Sequence, residues 1–134
     1  MKFPDWLQVY GDLKYRNKNC PAEQQEQVTF FGWLRAQHPK DYGVLALHVR
    51  NEGVRTWGQA AWHKAEGMAT GASDIIIPGA PTFVCEMKRK DHTKSRWQDG
   101  QLEYLEAAQI AGAFVCVALG YEAAIEAFKT WNKP

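Results

Sequence analysis

The sequence predicts a small mixed α/β domain, a β-sheet flanked by helices in the order α-β-α-β-β-α-β-α. Three observations lead there. Segments with apolar residues at helical spacing alternate with short apolar or β-branched runs. Two of those runs are separated only by the few residues around Pro78-Gly79 and Pro81, as in an antiparallel pair. The 134 residues, 46% of them hydrophobic, make one domain with one core.

Residues 1–20 mix aromatics (Phe3, Trp6, Tyr10, Tyr15) with Lys14, Arg16 and Lys18 and have no clean period. They read as an N-terminal arm, a short hairpin or a dimer element ahead of a domain spanning 21–134. Residues 21–38 read as a helix. Pro21 can start it, and Glu23 and Glu26 suit its positive end. Val28, Phe30, Phe31, Trp33 and Leu34 form its apolar stripe, and His38-Pro39 closes it. The run VLALHVR, 44–50, reads as a strand, followed by a turn at Asn51-Glu52-Gly53. Residues 56–67 read as a second helix ended by Gly67. A short strand over 73–79 and a second one through TFVCEMKRK form the expected pair. A polar loop leads to a helix over 97–112 that ends at Gly112. AFVCVAL, 113–119, is apolar enough to be buried on both faces, and Gly120 turns the chain into a last amphipathic helix.

Composition narrows the function. A formal net charge of +1 excludes nucleic-acid binding through bulk charge, so any such contact needs a local patch. Cys20, Cys85 and Cys116 form no C-x-x-C pair and read as reduced core residues. The four histidines show no zinc spacing. The N-terminus lacks the charge and apolar run of a signal peptide, and no apolar run is long enough to span a membrane. The expectation is an intracellular, cytoplasmic protein.

The chemistry concentrates in Asp74 and Glu86-Met87-Lys88. Asp74 heads the strand Ile75-Ile76-Ile77, where a carboxylate wants a cation or a donor. Glu86 and Lys88, two apart at the end of an apolar strand, share a face. If the strands pair, Asp74 and Glu86 converge into an oxygen site for a hard divalent ion such as Mg²⁺. Such an ion lowers the pKa of a bound water and stabilises phosphoryl charge, and Lys88 would orient the water or offset the charge. Taken alone, the same residues also describe a turn cap and a surface ion pair of about 0–1 kcal/mol. Gln101, at the start of the 97–112 helix, can hold a water, a phosphate or the Lys88 amine. Lys88, Arg89, Lys90, Lys94 and Arg96 make the densest basic patch, suited to phosphates.

GASDIIIPGAPTFVCEMKRKD, followed by Gln101 and AGAFVCVALGYEAAIEAF, resembles the virus-type replication-repair nuclease (VRR-NUC) domain of the PD-(D/E)xK superfamily, from about Glu23 to Phe128. The resemblance implies a restriction-endonuclease-like core. It places the family's strand Asp on Asp74, preceded here by Ser73 instead of the usual Pro, its Glu-x-Lys on Glu86 and Lys88, and its helix Gln on Gln101. The implied metal ligands are Asp74, Glu86, the backbone carbonyl of Met87 and a carboxylate of the first helix. Glu23 is preferred for the last, with Glu26 the alternative. Asn51 falls on the family's polar turn and joins Arg89, Lys90, Lys94 and Arg96 as expected DNA contacts. The resemblance further implies Mg²⁺ or Mn²⁺ as cofactor and cleavage of branched DNA, of Holliday-junction or flap type, in replication, repair or recombination. Small stand-alone members are commonly phage-borne and homodimeric. The competing expectations are a non-catalytic DNA- or protein-binding module on the same fold and a sequence-specific, restriction-like nuclease.

Overall fold

The computed structural model describes residues 1–49 and 56–133. Four strands form one sheet in the spatial order β1-β4-β3-β2. They are β1 (Gln8–Tyr10), β2 (Ile75–Ile77), β3 (Phe83–Lys88) and β4 (Phe114–Leu119). Among the described residues five α-helices accompany them, α1 (Glu23–Gln37), α2 (Tyr42–Leu45), α3 (Trp57–Ala65), α4 (Gln101–Ile110) and α5 (Tyr121–Trp131), with a 3-10 turn at His92–Lys94. The mixed α/β class expected from the sequence is the class observed.

The expected pairing of the two short-linked strands is present. β2 runs antiparallel to β3 with Ile75 opposite Cys85 and Ile77 opposite Phe83. β4 joins the other edge of β3 in parallel, from Phe83 opposite Phe114 to Lys88 opposite Leu119. β3 is therefore central, and all six of its residues are buried. Alternation sorts them. Phe83, Cys85 and Met87 face a core with Phe30, Phe31 and Leu34 of α1 and Phe128 of α5. Val84 faces a second core with Leu105 of α4 and with Val115, Val117 and Leu119. Glu86 and Lys88 follow Val84 on that second face. Cys20, Cys85 and Cys116 are free and buried.

Two expectations need correction. Residues 1–20 do not stand outside the sheet, because Gln8–Tyr10 pairs in parallel with Cys116–Ala118. A three-residue edge strand leaves too short a pattern to read, and its partner is a hundred residues away. The run 44–50 is not a strand where it is described. Asp41 accepts a hydrogen bond from Tyr42 N at 2.7 Å and caps the helical turn α2. Tyr42 packs edge-on against His38, Phe128 and Trp131. Those contacts outweigh the β-propensity of Val44 and its neighbours. All that remains of the expected strand is an antiparallel bridge between Leu47 and Ile76. The turn at Asn51-Glu52-Gly53 lies outside the described residues.

One glycine matters to the site's frame. Gly120 has φ +91°, and a Cβ there would sit 2.5 Å from Glu26 Oε2. That oxygen accepts the N–H of Tyr121 at 2.7 Å, so a carboxylate from α1 caps the first turn of α5.

Candidate active site

β3 gathers the site. The β2–β3 ladder runs from Ile77 to Ile75, and one step further its register places Asp74 opposite Glu86. There the side chain replaces the backbone: Asp74 Oδ2 accepts the N–H of Met87 at 2.9 Å. Within a strand, the N–H and C=O of one residue point the same way. The carbonyl of Met87 thus faces Asp74, whereas the next carbonyl, that of Lys88, turns to Gly120 N at 2.9 Å on the β4 side.

Lys88 is 1% exposed. Its Nζ donates to Gln101 Oε1 at 2.9 Å and to the carbonyl of Arg96 at 2.8 Å. Glu23 Oε1 lies 3.7 Å away and Glu86 Oε1 3.9 Å. The ammonium also sits 5.2 Å from the centre of the Trp97 ring. Gln101 binds both charges, since its Nε2 donates to Glu86 Oε1 at 2.8 Å. Its Oε1 additionally accepts Gln98 N at 2.8 Å, which ties the first residue of α4 to the loop before it.

Glu86 is 1% exposed, and its Oε2 has no hydrogen-bond partner among the described residues. Burial pushes its carboxyl well above the usual range, and the nearby Asp74 charge adds to the rise. Glu23, more open, is raised by burial and by Asp74 against the opposing pull of Lys88. Among the described residues, three carboxylates within electrostatic reach of one another thus share one ammonium, and the most buried oxygen of the set is unsatisfied.

The two α1 carboxylates separate cleanly. Glu23 reaches Lys88, whereas Glu26 is turned to the N-terminus of α5. Among the described residues, no three acidic, histidine or cysteine side chains already form a complete metal-binding group. Two or three carboxylates with a backbone carbonyl nonetheless suit Mg²⁺, which keeps several waters and shares its coordination with substrate phosphate. The unpartnered Glu86 oxygen supplies the observation that such an ion fits.

The basic patch divides. Lys94 and Arg96 are exposed. Lys90 lies 3.9 Å from Glu122 and 4.7 Å from the centre of the Tyr15 ring. Arg89 is the exception to the expected phosphate contacts. Its guanidinium donates to the carbonyls of Lys18, Cys20 and Pro21, the segment that leads into α1. It binds backbone carbonyls, and so anchors the start of the helix that carries Glu23. Asn51 lies outside the described residues.

Two supporting residues escaped the sequence reading. Gln27 Nε2 donates to the carbonyl of Asp74 at 2.9 Å, and His48 Nδ1 lies 2.8 Å from the same oxygen. His48 donates to that oxygen when Nδ1 carries the ring proton. Gln27 carried one signal, a polar side chain in the middle of an apolar helical stripe. His48 carried none, because it sat in a run read as a strand.

Comparison with known proteins agrees with this geometry at the level of fold. No family model and no curated protein matches the sequence. A solved structure described as a VRR_NUC domain protein superposes with a TM-score of 0.65. The match spans 84% of this chain and 88% of that one, at 22% identity. Among the described residues, no helix is long and apolar enough to cross a membrane. The chain has the fold of the VRR-NUC domains.

Proposed function

We propose that the protein is a divalent-metal-dependent endonuclease that hydrolyses phosphodiesters in branched DNA, of flap or four-way-junction type. The observation that carries this reading is the cluster of half-buried Asp74 with buried Glu86 and Lys88, in which Glu86 Oε2 has no partner among the described residues. Asp74, Glu86, the Met87 carbonyl and Glu23 would hold a Mg²⁺ or Mn²⁺ ion. When bound, the ion supplies Lewis acidity toward the phosphoryl oxygens and a more acidic water.

The chain's own residues do the rest. Gln101 and the Arg96 carbonyl hold the Lys88 Nζ beside the carboxylates. Lys88 offsets negative charge that grows on the phosphoryl group and orients the attacking water. Gln101 fixes the spacing of Lys88 and Glu86 by binding both. Gln27 and His48 hold the Asp74 backbone, so its carboxylate stays aimed across the strand pair. Lys94 and Arg96, on the loop behind Lys88, contact the DNA backbone beside the cut. A symmetric cut in both strands of a junction calls for a homodimer.

The test is a cleavage panel of linear duplex, single strand, flap and four-way junction, with Mn²⁺ or with EDTA. The proposal expects cutting of a branched substrate that requires the metal. Clean cutting of one duplex sequence, with junctions ignored, would replace it with a restriction-like activity. A protein that binds the panel and cuts nothing is a binding module.

A further inference from the structure

A cavity of about 880 Å³ opens beside the site. It is lined by Trp57 and Lys64 of α3, by Gln98 and Asp99 ahead of α4, and by Asp74 and Gln101 of the carboxylate cluster. The cavity is thus continuous with the proposed catalytic groups. Its volume falls within the roughly 300–1,000 Å³ of small-ligand pockets.

Its chemistry is also unlike that of a duplex-binding surface. Among the described residues the lining offers one cation, Lys64, against Asp74 and Asp99. Two phosphate backbones need many cations. What the cavity does offer is a large flat ring: Trp57, the first residue of α3, is 91% exposed. A ring so exposed at the edge of a cavity leaves a face open for a flat ligand. A nucleobase with both faces free stacks on such a ring, whereas a base inside a duplex has its faces covered. Lys64, two turns further along α3, can meet the phosphate of the same strand. The loop bearing the exposed Lys94 and Arg96 runs directly into Gln98 and Asp99 and continues the backbone contact.

We infer that this groove binds a short unpaired DNA strand, with a base stacked on Trp57, and delivers that strand to Asp74 and Gln101. The inference deepens the nuclease reading and rests on it for the identity of the nucleic acid. Strand binding itself is separable from cutting. Branch selectivity then has a local cause: a flap or an opened junction provides unpaired bases beside the cut, and a flush duplex does not.

The experiment measures fluorescence anisotropy of a labelled 12-nucleotide oligothymidylate and of a blunt 12-base-pair duplex, both in EDTA. The wild-type protein is expected to bind the single strand at least about fivefold more tightly. Trp57→Ala should weaken single-strand binding about tenfold or more, the worth of one stacked base, and leave duplex binding unchanged. Trp57→Phe should restore most of the loss. An exposed ring can be removed without disturbing the core, and circular dichroism checks the fold of each variant. Equal or tighter binding of the duplex, or a Trp57→Ala variant that binds the single strand normally, overturns the inference. Because no metal is present, these results do not depend on the outcome of the cleavage panel. Failure of cutting with Trp57-dependent strand binding leaves the groove standing, and cutting with no role for Trp57 leaves only the nuclease reading.

Discussion

Replacing Glu86 by Gln separates stability from activity at this site. In the metal-free protein, burial and the Asp74 charge raise the Glu86 carboxyl well above its unfolded value. A raised pKa means that folding favours the protonated form. The stabilising contribution is complete below the unfolded pKa and is lost as pH rises through the folded one. At pH 8, above the unfolded value, the wild-type protein therefore carries the cost of burying this carboxyl, whose Oε2 has no partner among the described residues. The amide of Glu86→Gln keeps the shape and has no charge. Its oxygen can still accept from Gln101 Nε2, and its nitrogen, in place of Oε2, can donate to the Asp74 carboxylate. An unsatisfied buried polar group costs about 1–3 kcal/mol. For a chain of this length 1 kcal/mol corresponds to about 3–5 °C in Tm. Thermal unfolding in EDTA is expected to show Glu86→Gln about 3 °C or more above wild type at pH 8, with the gap narrowing toward pH 5. Saturating Mn²⁺ should reverse the order. At about 100 times its Kd it stabilises wild type by about 2.7 kcal/mol, whereas the variant should gain much less. A variant less stable than wild type in EDTA at pH 8, or stabilised equally by Mn²⁺, would refute the reasoning.

Three further outcomes test other parts of the account. Glu23→Ala should lower cutting at least tenfold with a small change in Tm, whereas Glu26→Ala should leave cutting nearly intact and cost about 0.5–2 kcal/mol by uncapping α5, read from paired cleavage and denaturation curves. Arg89→Ala removes charge-assisted bonds to three carbonyls and should destabilise the fold by about 2–4 kcal/mol in urea unfolding, and it should lower cutting through the loosened α1. Ser73→Ala deletes a buried hydroxyl with no partner among the described residues and should be neutral or slightly stabilising in the same assay.

The parts of the molecule legible in the sequence are those set by local pattern. The central strand announced itself through Phe83-Val84-Cys85, and the short link through Pro78 and Pro81 gave its antiparallel partner. Once that pairing is granted, period-two alternation brings Asp74, Glu86 and Lys88 to one face, and Gln101 meets them from the start of α4. What stayed hidden depends on contacts distant in sequence. β1 exists because β4 offers it an edge. α2 exists because Tyr42 packs between α1 and α5. Arg89 looked like a phosphate contact because it belongs to a basic run, yet backbone carbonyls seventy residues earlier claim its guanidinium. The choice between Glu23 and Glu26 was open for the same reason, since only the position of Tyr121 shows that Glu26 faces another helix.

The central claim is that Asp74, Glu86 and Lys88 form one metal-dependent cutting site. The most direct measurement is single-turnover cleavage of a labelled flap or four-way junction in Mn²⁺, by wild type and by Asp74→Asn, with binding of the same DNA measured in Ca²⁺. The account predicts at least a hundredfold loss of cutting for the variant, with its affinity for DNA within about threefold of wild type. Cutting by Asp74→Asn at the wild-type rate, or by wild type in EDTA, would contradict it.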